Sequence, residues 1–307
     1  MKRFVQIGIF ISIIGLAILN YLSSPIALML GFLLTLLIGN PFPEQSKKAI
    51  QYLLKISVIG LGFGMSLMET IKTSKDGFII TVISIFLTVG LGLLLIKILR
   101  IDKKLGFLMT SGTSICGGSA IAAVSPIIKA NHKTISMAIG VIFLLNSIAL
   151  FIFPSIGHFF NLTQEQFGIW AAIAIHDTSS VVGAALEYGD KALQIATTVK
   201  LARTLWIIPL TFFAMLLFKS KNQKVKIPFF ILGFITAMLI NSYNLIPDVV
   251  SSNIVDISKR TLIVTLFLVG TTLTVGDLKQ NGYKPILFST ILWVFISAFS
   301  LVFILNQ

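Results

Sequence analysis

Three apolar stretches carry the residues whose types and spacing could do chemistry. The first runs over residues 105–119 and ends in Ser111-Gly112-Thr113-Ser114-Ile115-Cys116-Gly117-Gly118-Ser119, mixing glycines with hydroxyl side chains. Glycine weakens a helix, and Ser and Thr offer its amides competing hydrogen bonds, so local unwinding is expected here. In an apolar medium, unwound backbone survives only against protein or a wet cavity. A half-helix starting there aims free N–H groups and a positive dipole end at its surroundings, which suits an anion. The second stretch, Ala174-Ile175-His176-Asp177-Thr178-Ser179-Ser180, joins more hydroxyls to a titratable pair. His176 and Asp177 would point about 100° apart on a regular helix and so would not bond each other. An intramembrane acid is a functional candidate by default, and coupling to protons or sodium is the chemistry open to this pair. In the third stretch Thr197, Lys200, Arg203 and Thr204 share one helix face, placing two cations and two hydroxyls where a dianion could sit, with Pro209 permitting a kink beyond them.

Each pattern has a plainer use. Small residues let helices approach closely in a bilayer without any ligand, and the same reading suffices for Gly60 and Gly64. Asp177 can form a salt bridge to Lys200 or Arg203, and those cations can snorkel to the near interface. Asp256 with Lys259 and Arg260 reads as an internal ion-pair cluster, and Lys55 as a snorkelling lysine.

The medium around these stretches follows from composition. Of 307 residues, 56% are hydrophobic and only 11% charged, and the mean hydropathy is +0.97. A soluble domain carries about 25% charged residues, and no soluble core of this size could hide the apolar excess. The expected fold is therefore all-α, a polytopic membrane protein forming one integral membrane domain over 1–307. Apolar runs fall at 4–22, 25–38, 49–68, 77–99, 105–130, 134–153, 167–186, 193–218, 227–245, 249–273 and 285–305, about eleven transmembrane helices at ~20 residues per span. Ser23-Ser24-Pro25 follows the first run in place of a small-residue cleavage site, so that run is read as a retained span.

The formal charge of +13 rests on 24 Lys and Arg against 11 Asp and Glu. With the N-terminus in the cytoplasm, Lys72, Lys75, Lys129, Lys133 and Lys191 fall outside, Lys55, Lys200, Arg203, Lys259 and Arg260 fall within apolar runs, and the remaining fourteen fall inside. Fourteen against five places the N-terminus in the cytoplasm and the C-terminus outside. Most of the basic excess is thus accounted for by topology and lipid contact, and nucleic acid is not an expected partner. The string Met29-Leu-Gly-Phe-Leu-Leu-Thr-Leu-Leu-Ile-Gly-Asn40 recurs as Ile231-Leu-Gly-Phe-Ile-Thr-Ala-Met-Leu-Ile-Asn-Ser242 in a span of opposite direction, and Ser111 to Gly118 is echoed by Val269 to Gly276. Both echoes suggest inverted repeats, within about 25–160 and 165–305.

Absences narrow the chemistry. A lone Cys116 excludes an intrachain disulfide and a multi-thiolate metal site, and neither a nucleotide-binding G-x-x-x-x-G-K-[ST] loop nor an H-E-x-x-H pair occurs. No cofactor or metal is expected, and no enzyme, although an intramembrane hydrolase built on Ser114 or Ser179 with His176 is the alternative from another class.

The strings Gly39-Asn-Pro-Phe-Pro43, Lys55-Ile-Ser-Val-Ile-Gly-Leu-Gly-Phe-Gly-Met-Ser-Leu67, Ser111-Gly-Thr-Ser-Ile-Cys-Gly-Gly-Ser-Ala-Ile121, Ala174-Ile-His-Asp-Thr-Ser-Ser-Val-Val-Gly-Ala184 and Thr198-Val-Lys-Leu-Ala-Arg-Thr204 together resemble the bacterial YeiH-like family, whose assigned role is sulfate export. That family is distantly similar to the bile-acid/sodium symporter-like transporters. The resemblance implies two inverted five-helix repeats plus one extra helix, with broken helices at mid-membrane. The expected activity is secondary transport or export of a small anion, sulfate or an organosulfur or organic anion. Ser111, Gly112, Thr113, Ser114, Cys116, Gly117, Gly118, Ser119, Thr178, Ser179, Lys200 and Arg203 would bind it, and His176 and Asp177 would couple it to protons or sodium. A passive anion channel is the alternative within transport. Lipids and further copies of the chain are the remaining expected partners.

Overall fold

The computed structural model describes residues 2–65, 67–219, 230–272 and 283–306, with side chains described from residue 4 and, in the fourth helix, from residue 77. Every regular element among them is helical. Chain order gives α1 (Lys2–Ile18), α2 (Ser24–Leu37), α3 (Pro43–Leu61), a 3-10 turn (Gly62–Gly64), α4 (Leu67–Ile98), α5 (Lys103–Ser114), α6 (Gly118–Val124) and α7 (His132–Phe159). There follow α8 (Gln164–Ala174), α9 (Thr178–Tyr188), α10 (Asp190–Thr204), α11 (Ile207–Leu217), α12 (Phe230–Ser242), α13 (Asp248–Thr272) and α14 (Lys284–Leu305). Four stretches, Gly77–Ile98, His132–Phe159, Asp190–Leu217 and Lys284–Leu305, are long and apolar enough to cross a membrane by length and composition.

Local chemistry sets the helix starts. Asp102 accepts a hydrogen bond from Leu105 N (2.9 Å) at the head of α5, and Asn131 does the same for Thr134 N (2.8 Å) at the head of α7. Thr163 and Gln166 form a reciprocal capping box on α8. Each satisfies an amide that the helix leaves without a partner.

The fifth and seventh expected spans are both interrupted, at residues 115–117 and 175–177. They do not, however, cross from one end of the molecule to the other. The Lys104 ammonium, at the start of α5, donates to Lys129 O at 2.9 Å, just beyond α6. Two ends of one ~25-residue crossing would lie about 30 Å apart, so α5 and α6 must fold back on each other as a hairpin. Gly112 on α5 abuts Ile121 on α6, as antiparallel arms require. The second hairpin is equally clear: Tyr188 Oη, at the end of α9, donates to Leu162 O at 2.6 Å, and its ring stacks on Phe167 at 3.8 Å near the start of α8. The expectation of a full crossing in these two runs is thereby corrected. Hydropathy cannot tell a span from a hairpin of two half-length helices.

The hairpins enter from opposite ends of the bundle. α7 links them, beginning beside the first at His132 and ending beside the second, where His158 stacks on Tyr188. Around them stand α4, α10, α11 and α14, while α1, α2, α3, α12 and α13 form a second group. Within that group α2 and α13 meet backbone to backbone: a Cβ added at Gly31 would strike Phe267 O, and one at Gly270 would strike Leu28 O. Gly60 likewise lies against Ser258 and Gly64 against Val255, which is the close packing expected of those glycines.

In a Cys116→Ser background, single cysteines replacing Lys103 and Lys129 are expected to label from one side of the membrane, and one replacing Asn161 from the other. Lys103 and Lys129 on opposite sides would restore the full crossing.

Candidate functional site

The hairpin tips meet in the middle of the molecule. Gly117 has φ +58°, and a Cβ there would lie 3.2 Å from Asp177 Cβ and 3.4 Å from its Cα. Only glycine combines that backbone angle with that approach. One tip thus contributes Ile115-Cys116-Gly117 and the start of α6, the other Ile175-His176-Asp177 and the start of α9. Ile142, Phe143 and Asn146 of α7 pack beside them, with Asn146 Oδ1 accepting from His176 N at 2.9 Å.

Each hairpin also leaves the carbonyl end of a half-helix in the apolar interior. A helix C-terminus has unpaired oxygens and a partial negative charge, so it needs a donor, best a cation. α10 provides two. Lys200 Nζ donates to Ala172 O (3.2 Å) and Ile175 O (2.7 Å) at the end of α8. Arg203 Nη2 donates to Ser114 O (2.7 Å) at the end of α5, and Nη1 to Ser84 Oγ of α4 (2.9 Å). Both side chains are fully buried, at 0% exposure, so neither snorkels. Among the described residues no carboxylate lies within ion-pair distance of either, which replaces the expected bridge to Asp177. Lys200 retains one ammonium proton and Arg203 its Nε–H, which has no partner.

Asp177 instead caps α9. Its Oδ2 accepts from Ser180 N at 3.1 Å and from the Ser179 hydroxyl, while Oδ1 is buried without a partner. Both ring nitrogens of His176, the Asn146 amide nitrogen and Thr113 Oγ1 are likewise buried and unpartnered. So many orphaned polar atoms in one interior are unusual, since each costs about 1–3 kcal/mol unless something joins it. His176 makes no bond to Asp177, as expected, although the two sit in extended chain and not on a helix.

The other sequence candidates divide. Ser111 and Ser114 spend their hydroxyls on their own helix, bonding Phe107 O and Ser111 O, and Thr197 and Thr204 do the same with Leu193 O and Lys200 O. Gly112 is packed against Ile121 and Ile142, and Cys116 is buried beside Thr204. Gly118 and Thr178 are half-buried and Ser119 exposed, all three in the first turns of α6 and α9. Asn146 was not among the candidates; a lone carboxamide in the apolar run 134–153 was the signal for it. The expected cluster of Asp256, Lys259 and Arg260 is corrected, because Lys259 pairs with Asp190 at 2.6 Å and Arg260 donates to Ile18 O at 3.1 Å. Lys55 is exposed over the Tyr52 ring, as a snorkelling lysine would be.

A cavity of about 330 Å³ lies between the two helix groups, lined among others by Gln194 and Thr197 of α10, Asn241 of α12 and Ser251 of α13. Thr197 stands one turn before Lys200.

Residues 4–289 match the family model described as conserved hypothetical protein 698. The chain belongs to this family. The YeiH-like resemblance therefore stands, over nearly the whole length. A UPF0324 membrane protein of Photobacterium profundum is 50% identical over 298 residues, covering 97% of this chain and 91% of that relative. One of Bacteroides thetaiotaomicron is 48% identical over 287 residues, covering 92% and 87%, and one of Porphyromonas gingivalis is 46% identical over 291 residues, covering 93% and 88%. No solved structure matches the chain. Family membership and apolar helices together make this a membrane protein, with its polar atoms concentrated where the hairpins touch.

Gly117→Ala is expected to cost roughly 1–3 kcal/mol through its backbone angle and the contact with Asp177. Thermal unfolding in detergent measures it. Lys200→Met and Arg203→Met should each lower stability by roughly 1–3 kcal/mol with no ligand present, since they strand carbonyls. Unchanged melting would remove the cations from the capping role.

Proposed function

We propose that the protein is a secondary transporter of a small anion, binding it where the two hairpin tips meet. The observation that carries this reading is the pair of fully buried cations, Lys200 and Arg203, which among the described residues have no carboxylate partner and keep donors to spare, the third ammonium proton of Lys200 and, on Arg203, the unpartnered Nε–H among others. Against them stands, among the described residues, a single buried carboxylate, Asp177, so the described interior holds a positive excess that an anion would offset. The first turn of α9, with Thr178 half-buried, supplies amides and a hydroxyl of the kind that bind oxyanions. Sulfate or a small organosulfur anion has the size and charge for such a site. Asp248 and Asp256 near the 330 Å³ cavity carry the opposite sign, but they are exposed and screened by salt, whereas Lys200 and Arg203 are not.

Hairpins entering from opposite ends fit an inverted-repeat transporter in which a midplane site opens alternately to each side. On this reading nine helical passes cross the membrane, α10 and α11 forming one of them, and the two hairpins are re-entrant. The termini stay on opposite sides, since nine and eleven are both odd. Lys129 and Lys133 move to the cytoplasmic side, and the sequence count of basic residues becomes sixteen against three. Lys221, Lys224, Lys226 and Lys279 contribute to that count from outside the described residues, as does the latter part of the echo Val269 to Gly276.

Purified protein in liposomes is expected to accumulate labelled sulfate or a small sulfonate against its gradient when an ion gradient is imposed. A passive channel would only dissipate the anion gradient, and a hydrolase would move nothing. Asp177→Asn should change the pH or cation dependence of that flux. Flux with no response to any ion gradient would sink the secondary-transport reading.

A further inference from the structure

Among the described residues the imidazole of His176 is buried, titratable and unpartnered, and neither the carbonyl caps nor the hairpin packing uses it. It rests on the anion-transport reading above, and it has specific neighbours. Lys200 of α10 donates to Ile175 O one residue before it, Arg203 stands a turn further along α10, Asp177 follows it in the chain, Asn146 holds its backbone N–H from α7, and Cys116 belongs to the tip that touches Asp177. Both ring nitrogens are buried and free of protein partners.

The formal charges in this set are Lys200 and Arg203, each positive, and Asp177, negative, leaving the interior at one positive charge. With no anion bound, a proton on His176 would raise that sum to two positive charges. A bound monoanion brings the sum to zero with the imidazole neutral. A bound dianion overshoots by one negative charge, and one proton on His176 restores zero. A sodium ion at Asp177 Oδ1, which is also free, would balance the same charge without a proton, whereas the imidazole takes protons and is a poor ligand for sodium, so proton movement with sulfate separates the two.

We infer that His176 is the proton site of a charge-matched cotransport, in which a dianion such as sulfate crosses with one proton and a monoanion of similar shape crosses without one. The proton enters from the solution on the loading side, binds the lone pair of one imidazole nitrogen together with the dianion, and leaves to the opposite solution when the dianion does. Asn146 is a positioning residue: its carboxamide fixes the extended turn that presents the ring.

The test uses wild-type protein in liposomes that enclose a pH-sensitive dye, with labelled sulfate and labelled methanesulfonate as the two anions. Sulfate entry should carry roughly one proton each and speed up as the loading side is acidified, while methanesulfonate entry should carry none and respond little to pH. His176→Gln should abolish the proton movement that accompanies sulfate and reduce sulfate flux at least tenfold more than methanesulfonate flux. If that variant fails to fold, the wild-type proton ratios for the two anions decide the matter alone. Sulfate moving without protons, or both anions moving with the same proton count, would overturn the inference while leaving anion transport intact. If neither anion moves, the transport reading fails first and this inference with it.

Discussion

The structure depends on cations placed at the carbonyl ends of half-helices. Two helices stop halfway through an apolar interior, and each stop strands oxygens that lipid cannot hydrate and backbone cannot reach. Lys200 answers one and Arg203 the other, from adjacent turns of a single helix. Because both caps come from α10, the two hairpins are held in one mutual position, and their tips touch at Gly117 and Asp177. The polar interior follows from that contact. Without the caps, neither break could persist, and the free imidazole, carboxamide and carboxylate oxygen would have no shared space.

The same constraint explains the choice of residue at each tip. Gly117 is required because chain reversal and close approach occur together there. Asp177 is at home because it starts a helix, and a carboxylate at an N-cap is stabilised by amides and dipole alike, here with Ser179 and Ser180 as donors. Among the described residues, a negative residue at a helix start and positive residues at helix ends place Asp177, Lys200 and Arg203 each in the field that favours it.

Much of this was legible in the sequence, for reasons that also mark where reading stops. Both breaks fall inside the strings Ser111 to Ser119 and Ala174 to Ser180, because glycine, hydroxyls and a charged pair are incompatible with unbroken helix in an apolar medium. Chain direction was not legible. A hairpin and a span have the same hydropathy, and only the approach of Lys104 to Lys129, twenty-five residues on, separates them. The burial of Lys200 and Arg203 could be anticipated from their place within an apolar run, but not their partners, which are carbonyls that no residue type announces. Asn146 escaped notice since it stands in a largely apolar run and its role is to hold a backbone amide thirty residues away.

The separation between each cap and its carbonyl also bears on how the chain is made. Lys200 follows Ile175 by only 25 residues, whereas Arg203 follows Ser114 by 89. At ~5–20 residues per second of synthesis, the second hairpin waits about 1–5 s for its cation and the first roughly 5–20 s. During that interval the α5 terminus has no guanidinium to meet its oxygens, so the nascent first hairpin must shelter at the translocon or lean on water and neighbouring helices. The arrival of α10 therefore completes both hairpins, the second after the shorter wait.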